Sequence, residues 1–186
     1  MLNSYRGKIP LKVKEAQSKN LPLTGFTLIE LVIVIVILSI LAVVGFSRGI
    51  DISSIRMSAG LGTLRSDLRY AQALAVKVKK PTRISFDLNA DSYSLYENST
   101  GTWLNVVHPL TKGDYTVYLN SGKFEGIELS LVSVDGLNRP LIFNQWGDPT
   151  IDGTNPITED ARFQISNQTS TNEIRVERGT GRVYLQ

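Results

Sequence analysis

The longest pattern in the chain is an apolar run from Phe26 to Phe46, which holds one ionisable side chain, Glu30. At about 1.5 Å of rise per residue, a helix of this length reaches across a hydrocarbon layer of about 30 Å. A secretory signal peptide would have a shorter apolar region of about 7–15 residues, followed by a small-x-small cleavage site. The run offers no convincing site of that kind, so it predicts a transmembrane helix over 26–46.

An amphipathic pattern follows the apolar run and ends at Pro81. Apolar residues recur at three- and four-residue spacing, as on a helix with one face against a core: Leu61, Leu64, Leu68, Ala71, Ala75 and Val78. Four glycines each weaken a helix here by about 1 kcal/mol relative to alanine: Gly45, Gly49, Gly60 and Gly62. We therefore expect an amphipathic helix within 47–80, with a bend or local melting between residues 45 and 62. If unbroken, a helix over 26–79 would be about 80 Å long.

After Pro81 the pattern changes to short runs rich in β-branched and aromatic residues, separated by Gly, Asn, Asp and Ser. The predicted strands are Thr82–Leu88, Ser92–Glu97, Trp103–Val107, Tyr115–Leu119, Ile127–Val134, Leu141–Asn144, Ala161–Ser166, Glu173–Arg178 and Arg182–Leu185. The first two are joined by Asn-Ala-Asp, which predicts a hairpin. The stretch from Trp146 to Asp160 reads as the longest loop. The fold class is α+β: a helix packed on antiparallel β-sheets, with a β-rich domain over 81–186.

The charges are distributed unevenly along the chain of 186 residues. Before Phe26 five basic residues stand against one acid, whereas from Ser47 onward 15 basic residues match 15 acidic ones. The positive-inside rule then keeps residues 1–25 in the cytoplasm and exports everything after Phe46. The balanced domain argues against the broad basic footprint of a general nucleic-acid binder. The chain has no cysteine, so it has neither disulfides nor thiolate metal sites.

Glu30 is costly where it stands. A lone carboxylate inside an apolar run costs on the order of 3 kcal/mol to insert into a bilayer. A carboxylate near the membrane face can also snorkel to water, which is the common reading for a random membrane helix. The residues around Glu30 help to decide whether it snorkels or has a specific partner.

Lys19, Gly25 and the segment Phe26-Thr27-Leu28-Ile29-Glu30, followed by the apolar run, resemble the prepilin signature of type IV pilins, type II secretion pseudopilins and competence pilins. The resemblance implies that a prepilin peptidase cleaves between Gly25 and Phe26 and methylates the new amino group of Phe26. It also implies that Glu30 pairs with the amino terminus of a neighbouring subunit. Residues 1–25 would be a cytoplasmic leader, longer than the leaders of type IVa pilins.

Three weaker motifs resemble the GspH/FimT group of pilin-like proteins. They are Leu68–Ala75 (LRYAQALA), Phe143–Gly147 (FNQWG) and Thr180–Val183 (TGRV). The resemblance covers the mature chain and implies two β-sheets packed against the helix.

No enzymatic constellation is present in the sequence. There is no HExxH, GxSxG, phosphate-binding loop or dinucleotide fingerprint. The one histidine, His108, precedes a proline in a predicted loop and reads as a solvent-exposed loop residue. We therefore expect no enzymatic activity and no cofactor.

Oxygen donors cluster in the longest loop: Asp148, Asp152, Asn155, Glu159 and Asp160. They offer the ligand type that calcium prefers, although their spacing fits no EF-hand. A solvated acidic loop is the simpler interpretation, and we expect no metal.

The C-terminal hairpin carries Arg175, Arg178 and Arg182. Some FimT-type minor pilins take up DNA through a terminal Gly-Arg-x-Arg, and here Gly181-Arg182 lacks the second arginine. Arg178 and Arg182 are the candidate DNA contacts, and an edge hairpin blunted by charge is the alternative. Three aromatic residues, Trp103, Trp146 and Tyr184, belong either to the core or to a subunit interface.

These inferences point to a minor pilin or pseudopilin of the inner membrane, a single-pass protein assembled into a type II secretion pseudopilus or a type IV pilus. Its partners would be the prepilin peptidase and other pilins or pseudopilins. Two alternatives stay open: a DNA-uptake minor pilin, and an uncleaved anchored periplasmic domain.

Overall fold

The structure is a computed structural model that describes residues 25–47 and 52–186. Residues 1–24 of the predicted leader, with Lys19, and residues 48–51, with Gly49, lie outside these ranges. The chain divides into two compact units, residues 1–49 and residues 50–186. Among the described residues, no helix is long and apolar enough to be recognised as a membrane span. The transmembrane segment at 26–46 stays a prediction.

Helix α1 (Leu28–Ser47) is the regular element of the first unit. Thr27 precedes it, and its Oγ1 accepts a hydrogen bond from the N–H of Glu30 at 3.3 Å, as an N-cap side chain does. The carboxylate of Glu30 lies in the first turn, where the helix dipole favours negative charge.

Helix α2 (Ile52–Val78) opens the second unit and is the predicted amphipathic helix. Five of the six predicted core positions are buried, and the last, Val78, is half-buried. The helix runs through Gly60 and Gly62 without a break, and residues 48–51 of the predicted bend lie outside the described ranges. After α2, the hydroxyl of Thr82 donates to the carbonyl of Ala71 at 2.7 Å and fixes the entry into the first strand.

Strands in the described part of the second unit are β1 (Thr82–Asp87), β2 (Ser92–Ser99), β3 (Thr102–Asn105), β4 (Thr116–Tyr118), β5 (Glu128–Ser133), β6 (Leu141–Phe143), β7 (Pro149–Thr150), β8 (Ala161–Ser166), β9 (Thr171–Val176) and β10 (Val183–Leu185). They form two antiparallel sheets. One has the order β3-β2-β1-β6-β7, with β4 also paired to β2, and the other has the order β10-β9-β8-β5. The predicted α+β class and the β1–β2 hairpin are confirmed.

Strand β7 was not predicted and lies inside the expected long loop. It has only two residues, one of them a proline, so it shows no alternation that a sequence pattern can reveal. The strand is held by its pairing with β6, in which Phe143 faces Pro149 and Ile142 faces Thr150. The hydroxyl of Thr150 also donates to the carbonyl of Ile142 at 2.9 Å.

The core lies between α2 and the two sheets. Its largest fully buried side chains come from the helix and both sheets: Tyr93, Phe143, Phe163, Leu64, Leu68, Ile84, Leu95, Leu119, Ile127, Leu141, Ile165 and Ile174. Phe163 of the second sheet stacks on Phe86 of the first, with ring centroids 4.7 Å apart. Aromatic contact of this kind adds to the burial of apolar area in joining the sheets.

A buried carboxylate ties α2 to the first sheet. Asp67 is 7% exposed and accepts hydrogen bonds from the hydroxyls of Tyr93 at 2.7 Å and Tyr115 at 2.9 Å. Burial raises the pKa of Asp67, and the two hydroxyl donors offset this only in part. Burial and the nearby carboxylate likewise raise the pKa values of both tyrosines, so their hydroxyls stay protonated as donors.

A second polar contact ties α2 to two loops. The side-chain Nε2 of Gln72 donates to the carbonyl of Gly147 at 2.9 Å and to that of Thr180 at 3.0 Å. Both glycines at this contact, Gly147 and Gly181, have positive φ. A Cβ on Gly181 would lie 2.9 Å from the carbonyl oxygen of Gly147 and would overlap the amide of Gln72. Residues from all three weaker sequence motifs therefore meet at one place.

Replacing Asp67 with asparagine should lower the free energy of unfolding by about 1–3 kcal/mol, because two buried hydroxyls then compete for one amide oxygen. The loss should depend on pH. A raised pKa in the folded state means that the folded state binds the proton more tightly, so the stability from Asp67 grows as pH falls. As the pH falls from about 7 to about 4, the free energy of unfolding of the wild type should increase relative to that of Asp67→Asn. Denaturant unfolding of the chain in detergent measures this difference.

The matched control is Asp135→Asn, for which the trend should reverse. Burial opposes the ionisation of Asp135, but the N–H groups of Glu159 and Thr158 and the charge of Arg139 outweigh it and lower its pKa. Stability from such a carboxylate is lost as pH falls. If both variants follow the same trend with pH, the account of Asp67 is wrong.

Replacing Gly181 with alanine should destabilise the fold more than replacing Gly179 does. Both residues have positive φ, at which alanine costs about 1–2 kcal/mol. A Cβ on Gly179 meets no atom within 4 Å, whereas one on Gly181 meets Gln72 and Gly147. The added overlap should cost about 1–3 kcal/mol more. Equal losses in chemical denaturation would contradict the close approach at Gly181.

Candidate functional site

The predicted processing site is accessible in the first unit. Gly25, Phe26 and Thr27 precede α1 without regular structure, and Phe26 is 81% exposed. Nothing lies within 4 Å of a Cβ placed on Gly25. A peptide bond in such an irregular, exposed segment can enter the active site of a protease.

Glu30 follows one helical turn after Phe26 and is exposed. Among the described residues, no basic group forms an ion pair with it. The predicted amino-terminal partner is created only by cleavage of the chain. Gly25 and Phe26 precede α1 and Glu30 lies in its first turn. Cleavage, methylation and the pairing of Glu30 stay predictions.

The large apolar side chains of α1 between Leu28 and Leu41 are exposed on all sides of the helix. Large apolar side chains with substantial exposure are Leu28, Ile29, Leu31, Val32, Ile33, Val34, Ile35, Val36, Ile37, Leu38, Ile40 and Leu41. A helix that is apolar on all sides is stable where other apolar groups surround it. This surface requires a covering that the described residues of the chain do not provide.

The arginines of the C-terminal hairpin have different surroundings. Arg175 forms an ion pair with Glu173. Arg178 donates through Nη1 to the carbonyl of Thr158 at 2.7 Å. The side chain of Arg182 is 72% exposed and only 4.0 Å from Glu177. The two predicted DNA contacts, Arg178 and Arg182, are therefore held by different partners.

A depression of about 400 Å³ lies beside the hairpin, on the outer face of the second sheet. It is lined by Glu159, Asp160, Arg162, Arg175 and Arg178. Arg182 does not line it. Arg162 was not among the residues singled out from the sequence, although its alternation with buried Ala161 and Phe163 marks it as an outward residue.

His108 is half-buried and is not the solvent-exposed residue expected from the sequence. Its Nδ1 accepts the N–H groups of Leu110 and Thr111, each at 3.2 Å, and its ring lies 4.5 Å from that of Tyr115. The histidine thus organises the turn that follows it.

The acids near the predicted long loop do not converge. Asp152 accepts the N–H groups of Thr154 and Asn155, within its own turn. Asp160 accepts the N–H of Arg178 and the hydroxyl of Tyr184. Within 25–47 and 52–186, no group of three or more His, Cys, Asp or Glu residues is placed to hold a metal ion.

The three aromatic residues left open by the sequence have different environments. Trp103 is half-buried and lies under the guanidinium of Arg83, at 4.6 Å from its ring centroid. Tyr184 is half-buried and donates to Asp160 at 2.9 Å. Trp146 is 74% exposed. Of the three, Trp146 is the one available to a partner.

Comparisons with known proteins concern the N-terminal motif and the fold. The family model for the prokaryotic N-terminal methylation motif matches residues 24–46. A search of curated proteins finds no match.

Among solved structures, the minor pseudopilin EpsH from the type 2 secretion system of Vibrio cholerae is similar at a TM-score of 0.51 and 11% identity, over 67% of this chain and 91% of that one. A second structure of EpsH gives a TM-score of 0.50 at 12% identity, over 70% and 91%. The type IV minor pilin FimU of Pseudomonas aeruginosa gives 0.46 at 15% identity, over 69% and 87%. At these identities the likeness to EpsH concerns the fold.

The chain therefore carries a prokaryotic N-terminal methylation motif at residues 24–46 and has a fold similar to that of the minor pseudopilin EpsH.

Proposed function

We propose that this chain is a minor pilin or pseudopilin, a structural subunit without enzymatic activity that is assembled into a type II secretion pseudopilus or a type IV pilus. The observation that carries the proposal is α1: a helix with apolar side chains exposed on all sides, entered through Gly25 and Phe26, with one carboxylate in its first turn. The methylation motif that matches residues 24–46 supports it.

In this proposal the chain starts in the inner membrane, with residues 1–25 in the cytoplasm and the β-rich domain in the periplasm. The prepilin peptidase cleaves after Gly25, releases the leader and methylates the amino group of Phe26. The exposure of Phe26 supports access to the bond.

Assembly then moves α1 from lipid to a bundle of neighbouring apolar helices. Hydrophobic burial is retained because one apolar surrounding replaces another. Glu30 pairs with the amino terminus of a neighbouring subunit. Removing one partner of a buried ion pair costs about 3–5 kcal/mol, so a misplaced subunit is rejected.

Processing should depend on Gly25 and assembly on Glu30. In cells with the prepilin peptidase, the intact mass should correspond to a chain starting at methylated Phe26, and in cells without it to a chain starting at Met1. Gly25→Val should block cleavage. Glu30→Gln should be cleaved but recovered in sheared filaments at a level reduced about tenfold or more, because the uncompensated amino group remains buried. Glu128→Gln, which changes an exposed acid of the β-rich domain, is the control and should assemble normally.

Retention of Met1 in both strains would contradict the proposal and favour the uncleaved anchored domain. Normal filament incorporation of Glu30→Gln would contradict its role in assembly and leave processing untouched. Copurification with secretion-system or pilus subunits would decide between the two machines.

The second candidate, a DNA-uptake minor pilin, is favoured by the exposure of Arg182 and its weak contact with Glu177. It predicts binding of duplex DNA in which log K falls against log salt with a slope of about −0.9 for each phosphate that the chain neutralises. Arg182→Ala should abolish this binding. Arg56→Ala is the control, since Arg56 lies on α2 and is paired with Glu125. Absence of duplex binding at low salt would eliminate this candidate.

A further inference from the structure

Two arginines face each other on the outer side of the second sheet. Arg162 of β8 and Arg175 of β9 are directly opposed in the strand register. Their neighbours Phe163 and Ile174 point into the core, so the alternation of a strand points both arginines outward. With Arg178, they line the depression of about 400 Å³ described above.

Like charges at directly opposed positions destabilise an antiparallel pair. Arg175 has a local remedy in Glu173: burial opposes the ionisation of this glutamate, but Gln164 and Arg175 outweigh it and lower its pKa. The charge of Arg162 also helps to lower the pKa of Glu173, but Arg162 forms no ion pair with the residues that the structure describes. The N–H groups of its guanidinium therefore remain available to a further acceptor.

The acids in the depression do not fill this need. Both carboxylate oxygens of Asp160 accept hydrogen bonds from the hairpin. Oδ1 accepts the N–H of Arg178 at 3.0 Å, and Oδ2 accepts the hydroxyl of Tyr184 at 2.9 Å. The N–H of Arg178 is the main cause of the lowered pKa of Asp160. Glu159 is exposed and forms no ion pair with the described residues. The lining holds three arginines and two carboxylates, and Glu173, which pairs with Arg175 beside it, balances the third arginine.

We propose that this depression binds the carboxylate of an acidic side chain on a neighbouring protein subunit, held by Arg162 and Arg175 with Arg178 at its edge. A guanidinium presents its N–H groups as a planar fork that matches the two oxygens of a carboxylate. One bound carboxylate would accept N–H groups of Arg162 and lie between the opposed arginines. The inference rests on the proposed function only in taking the neighbour to be another pilin-like subunit.

The surroundings favour a protein carboxylate over the phosphates of DNA. A duplex presents one charge per about 1.7 Å of axis and needs a continuous basic track. Here Glu159 and Asp160 interrupt the basic lining, and the chain from Ser47 onward has equal numbers of acidic and basic residues. Arg182, on which the DNA-uptake candidate depends, lies outside the depression. The two hypotheses therefore make separate demands on the arginines.

The test is a titration of the full chain, labelled with ¹⁵N-arginine and held in detergent micelles, with N-acetyl-tetraglutamate amide at about 50 mM NaCl to limit screening. The Nε–H signals of Arg162, Arg175 and Arg178 should shift and saturate together. Arg162→Gln should weaken binding of the peptide about tenfold, which corresponds to about 1.4 kcal/mol. Arg182→Gln is the matched control and should bind as the wild type does. Arg162→Lys keeps the charge without the fork and should fall between the two.

Three results would overturn the proposal: no saturable shift at the three arginines, equal weakening by Arg162→Gln and Arg182→Gln, or displacement of the peptide by a short DNA duplex that binds more tightly to the same arginines. The proposed function is checked separately by intact mass and filament recovery. A chain that is processed and assembled but does not bind the peptide refutes the carboxylate site alone. A chain that binds the peptide but is never cleaved supports the site and refutes the pilin function.

Discussion

One helix face holds the β-rich domain together, because α2 supplies the apolar surface against which both sheets pack. Sheets with one buried face need a partner layer, and the buried stripe of α2 from Met57 to Ala75 provides it. Ala71 and Ala75 are fully buried, and side chains this small allow the strands to approach the helix closely. Any residue on this face that is not apolar must therefore find its partners inside the interface.

Two polar residues of α2 meet that requirement in different ways. Asp67 binds two tyrosine hydroxyls, one from β2 and one from the segment before β4. Gln72 binds two backbone carbonyls, one from each of two loops. Apolar packing is non-directional, whereas these contacts fix the helix against particular segments of the chain. Gly181 is required at the second contact because a Cβ there would overlap the amide of Gln72, and Gly147 is favoured by its positive φ.

The periodic elements were predictable because burial on one face leaves a repeat in the sequence. The spacing from Leu61 to Ala75 predicts α2, and short β-branched runs predict nine of the ten strands found in the described residues. Strand β7 is too short to leave a repeat. Asp67 was not predicted as a core residue because helix periodicity counts apolar residues. A carboxylate between Leu64 and Leu68 on the buried face is nevertheless a signal of a buried polar contact. Gly147 and Gly181 were singled out in the sequence only because they belong to motifs that resemble the GspH/FimT group. Why glycine stands at these positions becomes clear only from their distances to neighbouring side chains.

The candidate sites differ in the same respect. Gly25, Phe26 and Glu30 are close together in the sequence, so local order alone places them at one end of α1. The arginine depression depends on which residues of β8 and β9 face each other, and a shift of the register by one residue would turn Arg175 into the core. Arg162 therefore could not be assigned to a site before the sheet order was known.

The proposed assembly requires α1 both to drive association and to fix the position of each subunit. A helix that is apolar on all sides packs favourably in many positions, since burial of apolar area does not distinguish one axial position from another. Successive residues advance by about 1.5 Å, so neighbouring helices need a directional contact to fix their offset. Glu30 is the one ionisable side chain in the apolar run, and a charge pair in an apolar surrounding is severely weakened when its partner is displaced. The apolar surface then provides the driving force for assembly, and the single carboxylate determines the position at which each subunit stops.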